Sequence, residues 1–117
     1  MNVGTCALRK LITCSANDSV AKVAHMLRDA RERNILVLEK EKPVGIISVS
    51  DIAYRIVAED KDSSDTPAKA IMTKKIMIKD ASEDLTPTYM EMIKANNYGC
   101  VIMEKNHVKG MLDLKEA

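Results

Sequence analysis

An internal repeat restricts the possible folds of this chain more than any other feature of its sequence. Residues 10–51 align without a gap with residues 75–116, at an offset of 65 residues that places Gly45 on Gly110. Identical residues are few, but the apolar positions coincide, with Leu36, Val37 and Leu38 on Val101, Ile102 and Met103. Two such units in one small protein are expected to share a core about a pseudo-twofold axis. Clefts between the units would then be the natural places for a ligand.

The composition is that of a globular protein without an obvious charged or lipid partner. Apolar residues make up 46% of the 117 residues, which is enough for a core, whereas half of the chain would be marginal alone. Charged residues of both signs are interspersed and give a net charge of +1. Such a chain has no basic field for nucleic acid or an anionic membrane. The sequence also lacks an apolar run near the roughly 20 residues of a membrane span, so no nucleic-acid or membrane partner is expected.

The reactive residue types indicate neither a metal site nor a catalytic centre. Cys6, Cys14 and Cys100 are odd in number and show no CxxC spacing, so neither a disulfide framework nor a zinc site is expected. Reduced cysteines and the absence of a signal pattern favour a cytoplasmic protein. His25 and His107 are not accompanied by an evident nucleophile and carboxylate. We therefore expect a protein that is not an enzyme, with no catalytic residue, no metal and no cofactor.

Each repeat is predicted to run strand, helix, strand, strand, helix. In the first repeat, capping residue types at Asn17 and Asp18 precede a helical apolar spacing that ends near Asn34. Two short apolar runs around a charged turn then indicate a β-hairpin. Ser50 and Asp51 are candidates to cap the last helix of this repeat. The apolar positions predicted to face the core from that helix are Ile52, Ala53, Ile56 and Val57.

The second repeat shows the same order, with Asp80 or Ser82 as the candidate cap of a helix that runs to about Asn96. The sequence ends where the last helix of this repeat would begin. The predicted fold is therefore α+β, with two β-α-β-β-α repeats, the second truncated at its final helix. The polar stretch after the first repeat is the predicted linker. The corresponding division is 1–60 for repeat 1, 61–67 for the linker and 68–117 for repeat 2.

The string 45–51, Gly-Ile-Ile-Ser-Val-Ser-Asp, is the most specific local pattern in the sequence. It leads from the end of a buried strand into a helix N-terminus, where unpaired backbone N–H groups and the helix dipole favour an anion. The Ser48 hydroxyl could donate to a phosphate or ribose oxygen, and Asp51 could accept from two vicinal ribose hydroxyls. In the alternative reading, Ser50 or Asp51 only caps the helix and Ser48 only satisfies the strand end. Local sequence alone favours that alternative.

The element order, occurring twice, resembles the CBS domain, which is named after cystathionine β-synthase. The family ends each unit with Gly, two apolar residues, Ser or Thr, two variable residues and Asp, and residues 45–51 match this signature. The string 70–73, Ala-Ile-Met-Thr, is a second family-like feature. The resemblance extends from about Arg9 to Ala117 and is to a stand-alone CBS pair. It implies two repeats packed through their sheets and a homodimer.

The resemblance also implies a function: a non-catalytic regulatory module that binds AMP, ADP, ATP or S-adenosylmethionine between the repeats and acts on an unknown output protein. The resemblance implies that Ser48 contacts the phosphate or ribose and that Asp51 holds the ribose hydroxyls. Ser50 lies in the same string. The adenine is expected between the first and middle strands, at Leu11, Ile12, Thr13, Ile35, Leu36 and Val37. Candidates to balance phosphate charge, none of them preferred, are Lys10, Arg31, Arg33 and Arg55. The alternative is a structural or dimerisation module without a ligand.

The second copy of the motif departs from the family pattern. Asp113 stands at the Ser/Thr position and Glu116 at the final Asp position. A carboxylate at Asp113 would repel a phosphate, whereas Glu116 could still reach a ribose. A second, weaker site at these two residues is therefore expected to be empty or to take a neutral or cationic group.

Overall fold

A computed structural model of the chain describes residues 1–95 and 99–113. Helices are combined with two three-stranded sheets, β1-β2-β3 and β4-β5-β6. This confirms the α+β prediction with two similar repeats. Leu114–Ala117, where the last helix of repeat 2 would begin, lie outside the described residues. Within the described ranges, no helix is long and apolar enough to cross a membrane.

In the first sheet, the middle strand pairs with one parallel and one antiparallel strand. Its strands are β1 (Thr13–Ser15), β2 (Asn34–Glu39) and β3 (Lys42–Ser48), and helix α1 (Val20–Ala30) connects β1 to β2. After β3, the short helix α2 (Val49–Ile52) continues directly into a π-helical segment (Ala53–Val57). A 3-10 turn (Ala68–Ala70) follows later in the chain.

Helix α1 is shorter than its apolar pattern predicted. It begins after Ser19, whose side chain caps it, because the carboxylate of Asp18 is already used by the Ser15 N–H at 2.8 Å. It ends at Arg31, which adopts the left-handed conformation with φ 56°, and not near Asn34, which already belongs to β2. Its core-facing residues are Val20, Val23 and Leu27, whereas Ala30 and Arg31, one of which the helical spacing predicted on the same face, are exposed.

The second sheet repeats this order. It consists of β4 (Met77–Asp80), β5 (Gly99–Glu104) and β6 (His107–Asp113), with helix α3 (Leu85–Lys94) between β4 and β5. The N-cap of α3 is Asp84, whereas the sequence suggested Asp80 or Ser82; those two residues instead bond to each other in the preceding turn. Pro87 lies in the first helical turn, where its missing N–H costs nothing. The predicted end of this helix, near Asn96, lies outside the described residues.

The chain forms two compact units that do not coincide with the two sequence repeats. The β1–β3 unit contains Leu11–Lys75, whereas the β4–β6 unit contains Met1–Lys10 together with Ile76–Ala117. In the β1–β3 unit, Thr73 exchanges two backbone hydrogen bonds with Ile46 of β3, at 2.8 and 3.0 Å. The sheet edge of the first repeat is thus covered by a segment that precedes the first strand of the second.

The β4–β6 unit is completed in the same manner by the start of the chain. Arg9 and Met111 of β6 exchange two backbone hydrogen bonds, at 2.9 and 2.8 Å. The short 3-10 turn Val3–Thr5 also belongs to this unit, because the Gly4 N–H donates to the carbonyl of Ala81 at 2.9 Å. The division 1–60, 61–67 and 68–117 thus describes sequence order and remains a proposal, and each compact unit combines segments from both repeats.

Both hairpins turn through two residues with positive φ, which suggests a stabilising substitution. The values are 52° and 66° at Lys40 and Glu41, and 50° and 67° at Lys105 and Asn106. Such turns favour Gly, which has no Cβ, and Asn, whose short polar side chain tolerates a conformation that strains most other residues. We expect Glu41→Gly to raise the free energy of unfolding by about 0.5–1 kcal/mol, measured by urea denaturation. Asn106→Gly is the matched control and should gain less, since Asn already tolerates this conformation. An equal gain in both would contradict the explanation.

Candidate functional site

Ser48 and Asp51 bind each other across the start of helix α2. The Asp51 N–H donates to the Ser48 hydroxyl oxygen at 3.1 Å, and the Ser48 N–H donates to Asp51 Oδ2 at 2.9 Å. This reciprocal arrangement is a capping box with Ser48 as the N-cap. Ser48, and not Ser50 or Asp51, is therefore the N-cap, because β3 extends to Ser48 and the helix starts one residue later, whereas Asp51 contributes to the cap as its N3 residue. Ser50 lies exposed within α2.

The cap uses only one of the two carboxylate oxygens of Asp51. The other, Oδ1, lies 3.9 Å from Nε of Arg55, which is one helical turn further on. The Asp51 side chain is 16% exposed and that of Arg55 is 49% exposed. Arg55 Nη1 also donates to the carbonyl of Ile71 at 2.8 Å. A half-buried carboxylate oxygen, a hydroxyl that can still donate its proton and a guanidinium are thus held together at the end of β3.

The π-helical segment after α2 is a feature that the apolar spacing did not indicate. Its register is shown by the Ala58 N–H, which donates to the carbonyl of Ala53 at 2.9 Å, five residues earlier. In this register Ile56 is buried, whereas Val57, which the spacing placed on the buried face, is 69% exposed. Single π-helical turns are frequent at functional sites. This one lies directly after Asp51 and contains Arg55.

Thr73 is a candidate site residue to which the sequence analysis gave no role. Its backbone pairs with Ile46, and opposite residues of an antiparallel pair project to the same face. Ser48 follows Ile46 by two residues and therefore projects to that face as well. Thr73 and Ser48 thus place two hydroxyls on the same side of the edge of β3. The sequence signal that could have identified Thr73 was the string 70–73, which was interpreted only as the opening of the second repeat.

The residues predicted to contact adenine differ in how much surface they offer. Thr13 pairs with Leu36, and the Leu36 N–H donates to the carbonyl of Ile12 at 3.0 Å. Ile12 and Thr13 are half-buried. By contrast, Ile35, Leu36 and Val37 are 0% exposed and lie in the middle strand, which is paired on both sides. The contact of the middle strand with a base stays a prediction, and Ile12 and Thr13 offer more surface for it.

The β1–β3 unit also has a polar concavity along β1, and its lining includes Thr13 of the predicted adenine surface. This cleft of about 390 Å³ is lined by Thr13, Asp18, Lys22 and Lys40, among others. The hydrogen bond from the Ser15 N–H, together with Lys22, lowers the pKa of Asp18 below its ordinary value. The cleft therefore holds an ionised carboxylate bonded to Lys22, with Lys40 and Glu41 also in its lining, and it is the competing location for a charged ligand in this unit.

Comparison with known proteins decides the family. The CBS domain family model matches residues 3–58. Residues 3–58, close to half of the chain, are a CBS domain. An uncharacterised protein of Methanopyrus kandleri is 27% identical over 78 residues, which are 66% of this chain and 40% of that protein. The chain thus aligns with less than half of that relative's length.

Solved structures with the CBS fold extend the likeness to the second repeat. A CBS domain protein from Pyrobaculum aerophilum, complexed with AMP, is 21% identical, with 97% of this chain and 88% of that chain covered and a TM-score of 0.76. A conserved protein from Pyrococcus horikoshii is 18% identical, with coverages of 97% and 86% and a TM-score of 0.75. At these identities the likeness shows the fold, and it covers nearly the whole chain.

The second CBS motif is chemically different from the first. Its Asp113 forms an ion pair with Arg9, with Nε and Oδ2 2.9 Å apart. Glu116 lies outside the described residues. The other basic candidates are dispersed: Arg31 terminates α1, the carbonyl of Arg33 accepts from the Val49 N–H at 2.9 Å, and Lys10 belongs to the β4–β6 unit. Arg33 thus adjoins the first motif through its backbone, and Arg55 is the candidate whose guanidinium lies beside Asp51.

Proposed function

We propose that this CBS protein is a non-catalytic regulatory module that binds an adenosyl ligand on its β1–β3 unit, at Ser48 and Asp51. The observation that carries the proposal is the reciprocal pair of these residues, with Arg55 held beside the remaining carboxylate oxygen. The AMP complex of the Pyrobaculum aerophilum relative supports the ligand class. AMP is therefore the first ligand to test, followed by ADP, ATP and S-adenosylmethionine.

Each group at the site has a role that fits a nucleoside phosphate. Asp51 can accept hydrogen bonds from the vicinal ribose hydroxyls, and a charged acceptor makes these bonds stronger than neutral ones. The Ser48 and Thr73 hydroxyls can donate to ribose or phosphate oxygens. Arg55 is fixed through one N–H to Ile71 and retains other donors for a phosphate. Ile12 and Thr13 offer the half-buried surface for the base, and Ser50 lies at the exposed rim.

Regulation follows if the ligand binds one arrangement of the protein better than another, because only a difference in affinity shifts an equilibrium. Arg55 provides a physical route, since it contacts both Asp51 of the motif and the carbonyl of Ile71 in the segment that covers β3. A ligand that engages Arg55 would change how this segment is held. We propose a homodimer in the cytoplasm, acting on a separate output protein, as the working form.

Asp51→Asn is expected to weaken AMP binding about tenfold or more, as measured by isothermal titration calorimetry on the full chain. The asparagine carbonyl oxygen can still accept from the Ser48 N–H, so the cap is retained. The substitution removes the charge and one of the acceptors that the ribose hydroxyls would use. A thermal-shift series on the same variant should show a smaller gain in melting temperature with AMP.

Asp18→Asn is the matched control, because Asp18 is also a carboxylate that accepts from a backbone N–H three residues away. It lies in the 390 Å³ cleft and away from the motif. Unchanged AMP affinity in Asp18→Asn with a loss in Asp51→Asn supports the proposed site. The reverse result would move the ligand to the cleft, and equal affinity in both variants would remove the motif from the binding mechanism.

A ligand-free dimerisation module is the second candidate function, and exposed apolar side chains favour it. Val49, Tyr54 and Val57 are 53%, 72% and 69% exposed on α2 and the π-helical segment. Apolar side chains clustered on a surface commonly mark an interface with another protein. The same titrations decide between the candidates: a dimer in sedimentation velocity that no adenosyl compound stabilises would favour the structural module.

A further inference from the structure

The two units place different chemical groups at equivalent positions beside the third strand of each sheet. In the β1–β3 unit, Thr73 lies opposite Ile46, and Ser48 follows two residues later on the same face. This pair of positions therefore carries two neutral hydroxyls. Both can donate a hydrogen bond to an anionic oxygen, and neither carries a charge that would repel it.

In the β4–β6 unit, the corresponding positions carry an ion pair. Arg9 lies opposite Met111, and Asp113 follows Met111 by two residues, so that the two charged side chains share one face. Arg9 Nε donates to Asp113 Oδ2 at 2.9 Å, and Arg9 Nη2 lies 3.0 Å from the sulfur of Met111. The side chains are 32% and 24% exposed. The pair is therefore partly removed from water and held in register by the backbone bonds of Arg9.

Space for a ligand exists beside this ion pair. A cleft of about 520 Å³ adjoins it, lined by Cys6, Ala7, Leu8, Arg9, Tyr89, Leu112 and Asp113. This volume lies within the range of small-molecule sites, roughly 300–1,000 Å³. The cleft is therefore large enough for a small anionic ligand, and the surrounding charges determine whether such a ligand binds in this unit.

We propose that the Asp113 carboxylate is an internal counter-ion. It pairs with the Arg9 guanidinium and takes the position at which a ligand phosphate would otherwise bind. An incoming anion must separate Arg9 from Asp113 and leave a partly buried carboxylate unpaired, which is costly. The chain therefore binds one adenosyl phosphate and not two, and Arg9 and Asp113 determine this selectivity. The stoichiometry rests on the proposed function, whereas the exclusion of anions from the β4–β6 unit does not.

Asp113→Ser tests the proposal by giving the second unit the hydroxyl of the first. The substitution removes the ion pair between Asp113 and Arg9 and the carboxylate that would repel an anion. Inorganic phosphate, titrated into the full chain and followed by backbone amide shifts in NMR spectra, should bind the variant about tenfold more tightly than wild type, with the shifts around Arg9. In calorimetry, AMP should bind the variant at two sites per chain and wild type at one.

The double variant Arg9→Thr with Asp113→Ser is the matched control. It reproduces the neutral Thr–Ser pair of the first unit, and without the guanidinium it should lose the gain in phosphate affinity. Asp113→Asn, which has the same shape as wild type at this position, replaces Asp113→Ser if the serine variant does not fold. It should show the same gain, because it also removes the carboxylate charge.

The outcomes separate this inference from the proposed function. Phosphate binding gained in Asp113→Ser, without AMP binding in wild type, would support the counter-ion and contradict the proposed function. AMP bound at one site in both proteins, without a gain in phosphate affinity, would overturn the counter-ion and leave the proposed function intact. Two AMP sites in wild type would overturn the counter-ion directly.

Discussion

Iodoacetamide at pH 8 is expected to alkylate Cys6 and to leave Cys14 and Cys100 unmodified in the folded protein. Burial raises the pKa of both Cys14 and Cys100 from the ordinary 9.0 to about 11. At pH 8 about one in 1,000 of each thiol is then the reactive thiolate. The two side chains are also 6% and 0% exposed, so the reagent cannot reach them without local opening. Cys6 is half-buried and lines the 520 Å³ cleft.

The rates should differ by about 100-fold or more between Cys6 and the two buried thiols, because burial both lowers the thiolate fraction of Cys14 and Cys100 and keeps the reagent from their sulfur atoms. Intact-mass spectrometry over time, followed by peptide mapping, measures the three rates separately. In concentrated urea all three cysteines should react, which controls for intrinsic reactivity. Modification of Cys14 or Cys100 at the rate of Cys6 would show that the corresponding sheet opens readily.

The same burial has a consequence for stability in alkaline solution. A thiol with a raised pKa stays protonated in the folded state while it ionises in the unfolded state above pH 9. The folded protein is therefore expected to lose stability as the pH rises from about 9 to about 11.

The repeat and the apolar patterns were sufficient to predict the fold class and most of the elements. Runs such as 35–38 form strands because four consecutive apolar residues between polar segments are too short for a buried helix and suit a middle strand. The coincidence of Gly45 and Gly110 also has a physical basis. In both units a crossing segment approaches β3 or β6 so closely that a side chain would collide with it.

The sequence alone did not show which residue is the N-cap of helix α2. Ser48, Ser50 and Asp51 are all suitable N-cap types, and the pairing of Asn34 with Ser48 decides among them by extending β3 to that residue. Where a strand ends is set by the register of its partner, which no local pattern encodes. The sequence therefore indicated the string that contains the cap, but not which of its residues is the N-cap.

Contacts between distant segments were also beyond local patterns. Arg9 and Asp113 are 104 residues apart, and each is an ordinary charged residue in its own neighbourhood. Their pairing depends on the start of the chain lying against β6. Thr73 was overlooked for the same reason, since its place beside Ser48 follows from its pairing with Ile46. The repeat predicted which residues are equivalent, but not which segment covers each sheet.

Gly110→Ala is expected to lower the free energy of unfolding by about 2–3 kcal/mol. An added Cβ would lie 2.9 Å from the Arg9 carbonyl oxygen and 2.9 Å from the Cβ of Leu8. These atoms belong to the backbone, or lie next to it, in the segment that pairs with β6, and they can move only if the Arg9–Met111 hydrogen bonds are strained. Replacement of Gly by Ala would otherwise favour folding by up to about 1 kcal/mol, so a loss of stability reports the collision.

Gly45→Ala is the matched variant, because Gly45 occupies the same place in the other repeat. Its added Cβ would lie 2.6 Å from the sulfur of Met72, the flexible part of a side chain, and 3.0 Å from the Thr73 carbonyl oxygen. Since Met72 can rotate away, we expect a smaller loss, about 1 kcal/mol in urea denaturation. Equal losses would mean that side-chain crowding, and not the displaced backbone of Leu8 and Arg9, determines the effect.

The displacement of Leu8 and Arg9 in Gly110→Ala should also expose the Arg9–Asp113 ion pair to solvent. Phosphate binding to that variant then provides an independent measure of how firmly the segment holds Arg9 against Asp113.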